Sequence, residues 1–457
     1  MVFSSLTFLV LFLPVFLISY YIVPRKYVRV KNCVLLIYSL LFYASGEPVW
    51  VIILIFSGLW DYLIGLFITR YNGQWQSKAL LFLSMCGNLG LLLLFKYGAF
   101  LLSLANISVA FAPTLPIGIS FYTFQTMSYT IDLYRGDVKP QRDPIAFLSY
   151  VAMFPQLVAG PIVRYADIGE RLTARQVSVK SFSDGVSRFA AGLGKKVLLA
   201  NHAGKIAAEL LSVNAVNAST AGVWLGTLMF MFQIYFDFSG YSDMAIGLGK
   251  MIGFDFKENF DRPYTSRSVT EFWRKWHISL SSFFRDYVYI PMGGNRKRAV
   301  FNLLFVWFLT GFWHGASINF IIWGLYYGVI LLIEKYALRG LLQKIPAFVS
   351  HLYCLFIVLF GWLIFYFTDL GQLAEFAARF WGVAKYHTDH RTTELFLANL
   401  WILPILAVFS TKLPALLAEH LRKLLPVTEQ LITFTLLCVS FAVLIGQSFN
   451  PFIYFRF

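Results

Sequence analysis

Charged side chains are scarce in this sequence. Asp, Glu, Lys and Arg make up 13% of its 457 residues, against 58% hydrophobic ones. Soluble domains carry about 25% charged residues, so one water-soluble core is excluded and the chain reads as an integral membrane protein. Polar linkers are missing too: apolar runs recur along nearly the whole length and leave no stretch for a separate soluble domain. One membrane domain over residues 1–457 is therefore expected. Cysteine is sparse, and Cys33, Cys86, Cys354 and Cys438 form no C-x-x-C pair. Neither a metal site nor a disulfide framework is signalled, and all four read as small buried side chains.

Several catalytic signatures are also absent. There is no G-x-x-x-x-G-K-[ST] phosphate loop, no H-E-x-x-H and no G-x-S-x-G nucleophile elbow. "GLGKK" and "GLGKM" resemble glycine-rich phosphate loops only superficially, since neither follows a strand. The formal charge of +15 does not imply nucleic acid, because the cations fall in short loops between apolar segments. There they act as topology signals and as partners of anionic membrane lipid.

What is present is a series of apolar segments. The first, Phe3–Val23, lacks an N-terminal positive charge and a small-residue cleavage site, so it reads as a span rather than a cleaved signal. Arg25, Lys26, Arg29 and Lys31 follow it, which makes that loop cytoplasmic and puts the N-terminus outside. Further candidates are Cys33–Ala44, Val49–Thr69, Ala79–Phe95, Tyr97–Phe111, Pro116–Tyr134, Ile145–Val163 and Phe189–Ala200. Val223–Phe238, Val300–Phe312, Ile318–Ile333, Leu352–Phe367, Leu395–Phe409 and Leu431–Phe449 complete the series. Some are too short to cross alone, so roughly nine to twelve crossings are expected, with tilted or re-entrant pieces between them.

Between Gly249 and Arg298 polar residues become dense without the aromatics thinning out. Lipid tolerates broken polar backbone only where it is buried in protein or lines a cavity. Ser268 or Thr270 is placed to cap a helix, with Glu271 reaching Lys275 at i+4. Trp273, Trp276, His277, Leu280 and Phe284 then share one helical face. Asp237 and Asp243 lie just upstream, and Lys250 or Arg262 is the expected partner for these costly carboxylates.

Two histidines stand out. His277 and His314 each follow a tryptophan and sit at membrane depth among polar residues. A neutral imidazole near pH 7 suits proton abstraction from a hydroxyl. A hydroxyl attacking a thioester needs that base and donors for the developing oxyanion; Trp273, Trp276, Trp313, Ser279 and Asn319 are the nearby donors. Arg274, Lys275, Arg285, Arg296, Lys297 and Arg298 are candidates for drawing in a phosphorylated donor; for the last three, topology signalling is the preferred reading. His202, His351, His387, His390 and His420 read as structural or solvated.

Several long motifs occur in a fixed order: Leu115–Gly136 (LPIGISFYTFQTMSYTIDLYRG), Phe154–Arg164 (FPQLVAGPIVR), Gln233–Gly249 (QIYFDFSGYSDMAIGLG), Glu258–Arg296 and Leu309–Gly315 (LTGFWHG). With the opening MVFSS and the ending NPFIYFRF, they cover essentially the whole chain. The sequence resembles the membrane-bound O-acyltransferase (MBOAT) family, in its AlgI-type bacterial branch, which acetylates alginate and related polymers or peptidoglycan. The resemblance implies an all-α polytopic fold: a ring of transmembrane helices with a thinned centre, re-entrant helices and a cytoplasmic funnel, the catalytic layer spanning roughly residues 237–320. It implies His314 as the principal catalytic histidine and His277 as the second. The donor would be acetyl-coenzyme A, with no tightly bound cofactor. The partner would be a separate periplasmic or membrane-tethered SGNH-type acetylase, and the location the cytoplasmic (inner) membrane of a bacterium. The chain has no G-D-S nucleophile block of its own, which fits that division of labour. The competing classes are a polysaccharide-precursor transporter or flippase and a non-catalytic scaffold for an acetylase. A transporter would show paired broken helices in matching halves, whereas the polar section occurs once.

Overall fold

Inside lipid every backbone N–H and C=O must find its partner within the protein, which leaves helices as the natural solution for a chain this apolar. The structure, a computed structural model, describes residues 1–104, 115–158, 160–212, 217–425 and 427–446, and no strand occurs among them. The all-α polytopic expectation holds.

Among the described residues six helices are long and apolar enough to cross a membrane: Val51–Arg70, Trp75–Ser103, Thr220–Ile252, Ile318–Lys344, Ala347–Tyr366 and Thr428–Gly446. A seventh span results if His390–Ala398 and Ile402–Phe409, bent by 63°, count as one, and Thr7–Ile22 and Ala299–His314 are shorter apolar helices. By length and composition alone that is six or seven spans among the described residues, below the nine to twelve crossings expected, and part of the difference has identifiable reasons. Ala79–Phe95 and the described part of Tyr97–Phe111 belong to one continuous helix that runs through Lys96. Ile145–Val163 is no span: Asp143 caps a short helix, Pro144–Ala152, which breaks at the non-helical Met153 before Phe154–Leu157. The remainder of Tyr97–Phe111, the end of Leu431–Phe449 and the terminal NPFIYFRF lie outside the described residues.

Contacts divide the chain into two compact units, Met1–Gly192 with Tyr241–Lys257, and Leu193–Gly240 with Glu258–Phe457. In the first, Asp61 is buried at membrane depth and is satisfied without a cation: Ser84 Oγ and Asn88 Nδ2 each donate to it at 2.6 Å. Asp243 pairs with Arg188 at 2.6 Å in that unit, and Asp237 pairs with Lys196 at 2.6 Å in the other. The expected partners, Lys250 and Arg262, are thus wrong. The cations come from the preceding helical stretch, Val179–Leu211, too far along the chain for a local pattern to show.

In the second unit Ala299–His314 and Ile318–Lys344 form a tight hairpin. A Cβ on Gly311 would lie 2.2 Å from the Phe320 carbonyl oxygen, and one on Gly324 would lie 2.3 Å from that of Trp307. Only glycine lets the two backbones touch this way, and the contact fixes His314 at the end of the first helix. Of the cysteines, only Cys354 is buried; Cys33 is half-buried and Cys86 and Cys438 are exposed. Expected burial fails for the exposed pair because the outer faces of spanning helices meet lipid, where an apolar side chain needs no protein cover.

Candidate active site

The expected single helix through residues 268–284 is in fact two. Ser268 caps the first, Val269–Lys275, by accepting the Glu271 N–H at 3.0 Å. Glu271 accepts from Lys275 Nζ at 2.6 Å, as the spacing predicts. Burial pushes the Glu271 carboxyl up, but the Arg267 N–H and Lys275 outweigh it and hold that carboxyl below its ordinary value. The helix then stops: Trp276 is extended, and His277 takes the left-handed conformation (φ 45°, ψ 54°) before Ile278–Phe284 begins. One continuous helical face from Trp273 to Phe284 therefore does not form, although Trp273, Trp276, His277, Leu280 and Phe284 all line one cavity.

A non-glycine residue in the left-handed region costs roughly 1–3 kcal/mol and persists only where its surroundings over-determine it. Here Asn259 and its neighbours do so. Ile278 donates its N–H to the Asn259 carbonyl, and Asp261 donates to that of Lys275, both at 2.9 Å. The Asn259 side chain completes the clamp, its Oδ1 accepting from Ser279 N at 3.1 Å and Ser279 Oγ at 2.8 Å. A backbone N–H can only donate, so the atom it faces is the amide oxygen. His277 Nδ1 lies 3.1 Å from that same oxygen and must carry the proton, which puts the imidazole lone pair on Nε2. His277 is 2% exposed, edge-on to Phe238 at 4.7 Å. It lies outside the spanning helices, and burial lowers its pKa to about 3. It is a neutral histidine of fixed tautomer.

His314 is 7% exposed and enclosed by rings, with Trp313 and Trp323 at 5.0 Å and Phe365 at 5.2 Å. Both histidines line one cavity of about 780 Å³. Trp273, Trp276, Arg274 and Arg285 line it too, as do Arg267, Lys335 and Arg339, which give it a cationic wall. Trp273 Nε1 is buried with no acceptor among the described residues.

Three expected donors are not in that wall. Ser279 serves the Asn259 clamp, Trp313 packs against both His277 (6.1 Å) and His314 (5.0 Å), and Asn319 is fully buried with Nδ2 3.4 Å from the Ile364 carbonyl. Lys275 is engaged by Glu271, and Arg296, Lys297 and Arg298 lie outside the lining. Arg285 forms a two-pronged pair with Asp286 at 2.7 and 3.1 Å. Among the described residues no group of three His, Cys, Asp or Glu is placed to hold a metal ion.

Residues 139–373, which contain this whole constellation, match the model of the membrane-bound O-acyltransferase family. The chain is 39% identical to the probable alginate O-acetylase AlgI of Pseudomonas putida and 38% identical to that of Azotobacter vinelandii, each over the full length of both chains. It is 31% identical to the peptidoglycan O-acetyltransferase of Helicobacter pylori, over 80% of this chain and 77% of that one. The chain belongs to the membrane-bound O-acyltransferase family. It is a multi-pass membrane acyltransferase.

Two residues of this acyltransferase escaped the sequence reading. Asn259 stands inside the quoted ENFDRPY stretch, but nothing local ties it to His277. Glu334 accepts from Val269 N at 2.7 Å, Thr270 N at 2.8 Å and Thr270 Oγ1 at 2.6 Å, capping the helix that carries Trp273 and Arg274. Its signal was available: a lone carboxylate ending the apolar run INFIIWGLYYGVILLI. Two of the remaining histidines have structural partners, His202 with Asn399 and His351 with the Ser266 carbonyl, both at 2.9 Å.

Proposed function

We propose that this acyltransferase takes acetyl groups from cytoplasmic acetyl-coenzyme A and delivers them for O-acetylation of an extracytoplasmic polysaccharide, of alginate, cellulose or peptidoglycan type. The observation that carries the reading is the single cavity that holds two histidines at its wall and five cationic side chains around them. Arg and Lys make charge-assisted bonds to phosphate, and coenzyme A is a multiply phosphorylated thioester carrier. The relatives' names supply alginate and peptidoglycan as polymers of that kind.

His314 is the general base. It takes the proton of the acceptor hydroxyl as that oxygen attacks the thioester carbonyl carbon. The C–S bond then breaks, and the thiolate leaves with the proton returned by His314. Trp273 Nε1, buried without an acceptor among the described residues, is suited to donate to the oxyanion. His277, neutral with its lone pair on Nε2, binds or orients the acceptor. The protein sits in the cytoplasmic membrane of a bacterium with its N-terminus outside. A separate SGNH-type acetylase, periplasmic or membrane-tethered, receives the acetyl group and completes transfer to the sugar.

The test uses oriented vesicles carrying the protein and that partner, with labelled acetyl-coenzyme A added outside. Inside-out vesicles, which expose the cytoplasmic face, should acetylate; right-side-out vesicles should not. Acetylation by right-side-out vesicles alone would reverse the orientation, and acetylation by neither would remove acetyl-coenzyme A as donor.

A further inference from the structure

Of the four cations that follow the first apolar helix, Arg25, Lys26 and Arg29 are exposed, as topology signals should be. Lys31 is different, at 6% exposed. It lies in the helix Val28–Ala44, with Nζ 4.5 Å from the centre of the Tyr20 ring and 5.3 Å from that of Tyr21. A second buried cation shares the Tyr20 ring. Arg175 is 7% exposed, its guanidinium carbon 5.6 Å from the same centre and 4.7 Å from that of Phe254. All of these residues belong to the first compact unit.

Arg175 is held firmly. Its Nε donates at 2.7 Å to the Tyr20 hydroxyl, which itself donates to the Ile252 carbonyl at 2.7 Å. Its Nη1 donates to Asn32 Oδ1 at 2.6 Å and to the Arg171 carbonyl at 3.3 Å. Every acceptor is neutral. Nη2 is buried with no acceptor among the described residues. Neither Arg175 nor Lys31 forms an ion pair among those residues, and nearby Asp255 is taken by Arg171. Buried charge is tolerated where it is paired, yet two like charges gather here around one ring with no carboxylate between them. The component missing from this cluster is an anion.

We propose that Lys31 and Arg175 form a receptor for one phosphate group, carried by the headgroup of an anionic phospholipid. Arg175 Nη2 and the Lys31 ammonium offer the charged N–H donors that phosphate oxygens take. The place suits a headgroup. It adjoins the end of the apolar helix Thr7–Ile22, where Tyr21 is 41% and Ile22 75% exposed. Acyl chains can follow that outer face while the phosphate reaches Lys31. Basic pockets between helices at the cytoplasmic boundary hold lipid headgroups in this way.

The experiment titrates the full chain, purified in neutral detergent and stripped of lipid, with phosphatidylglycerol, phosphatidylcholine or inorganic phosphate. The unfolding midpoint and native mass spectrometry are the readouts. Phosphatidylglycerol should raise the midpoint saturably and stay bound at one lipid per chain. Phosphatidylcholine, whose choline cancels the charge, and inorganic phosphate should do neither. Lys31→Gln and Arg175→Gln should each weaken phosphatidylglycerol binding by roughly 10- to 100-fold, the range for losing a hydrogen bond to a charged group. Lys26→Gln, at an exposed cation of the same loop, should leave it unchanged. Lys31→Gln removes no side-chain hydrogen bond among the described residues, so it keeps the test valid if Arg175→Gln fails to fold. An equal midpoint shift from inorganic phosphate keeps the phosphate site and overturns the lipid as its source. Unchanged affinity in folded Lys31→Gln, an equal loss in Lys26→Gln, or no saturable binding of either anion overturns the site.

Discussion

Asn259 Oδ1 sits 3.1 Å from His277 Nδ1 while also accepting the backbone N–H of Ser279. The two residues are 18 apart in the chain, and the contact does two jobs. It pins the left-handed kink that turns His277 into the cavity wall, and it fixes the imidazole proton on Nδ1. The tautomer follows from the one donor in the cluster whose direction is beyond dispute, the Ser279 N–H.

Replacing Asn259 with Asp puts a carboxylate against Nδ1–H. An adjacent opposite charge raises a histidine pKa by about 1–3 units, so Asn259→Asp should move any acid limb of kcat to higher pH than in the wild type. Asn259→Leu removes the acceptor and should cost more activity at pH 8 than Asn259→Asp, which still accepts. A pH–rate profile of Asn259→Asp that overlays the wild type would show that Asn259 acts only on the fold.

The same burial has a consequence for stability. Burial lowers His277 from 6.5 to about 3 in the folded protein. The unfolded chain therefore takes up a proton below about pH 6.5 that the folded protein refuses. The contribution of neutral His277 is whole above pH 6.5 and is lost as pH falls from there toward 3, by at most about 1.4 kcal/mol per pH unit. His277→Gln should flatten that part of the stability curve. Thermal unfolding at pH 7.5, 6.0 and 5.0 makes the comparison, and parallel curves for the two proteins would mean that His277 does not resist protonation.

His314→Ala should insert and fold normally, because the Gly311–Gly324 backbone contact and the surrounding rings set the hairpin. General-base catalysis contributes roughly 10²–10⁴-fold, so labelled acetyl transfer should fall by that factor. A well-folded His314→Ala protein with wild-type transfer would remove the histidine from the chemistry.

The legible parts of this protein were those decided within a few residues. The apolar runs, the Ser268 cap and the Glu271–Lys275 pair are set by local spacing, and each is present. The spacing groups Trp273, Trp276, His277, Leu280 and Phe284 correctly, since all line one cavity, but not the helix that carries them: the break at Trp276–His277 is imposed by backbone bonds from Asn259 and Asp261, while the local pattern continues to favour helix. Asp237 and Asp243 found Lys196 and Arg188 for the same reason: helix neighbours are chosen by packing, not by proximity in the chain. His277 and His314 were singled out by chemical type and context, but their common cavity depends on the kink and on the glycine contact together.

Glu334 holds the helix on which Trp273 and Arg274 ride. Glu334→Ala leaves the buried N–H of Val269 and the partly buried N–H of Thr270 without their acceptor, the buried one alone costing roughly 1–3 kcal/mol. The unfolding midpoint should fall and KM for the donor should rise as Arg274 shifts. Glu334→Gln keeps one acceptor oxygen and should lose less of both. If Glu334→Ala matches the wild type in midpoint and KM, the cap contributes nothing that Ser268 does not already supply.

The basic residues now separate into two groups with opposite expectations. Arg274 and Arg339 line the cavity, while Arg296, Lys297 and Arg298 do not. A hydrogen bond to a charged group is worth roughly 1.5–3 kcal/mol, which corresponds to about 10- to 100-fold in affinity. Arg274→Gln and Arg339→Gln should therefore raise KM for acetyl-coenzyme A by about that factor. Arg285→Gln should do less, since Asp286 already neutralises much of that guanidinium. Gln at 296, 297 and 298 should leave KM where it is and alter, at most, membrane topology. Salt provides the second readout: screening acts over about 8 Å at physiological ionic strength, so the gap between wild type and Arg339→Gln should narrow as salt is raised. An unchanged KM in both Arg274→Gln and Arg339→Gln, at low and high salt, would mean that the cavity's positive charge does not meet the donor.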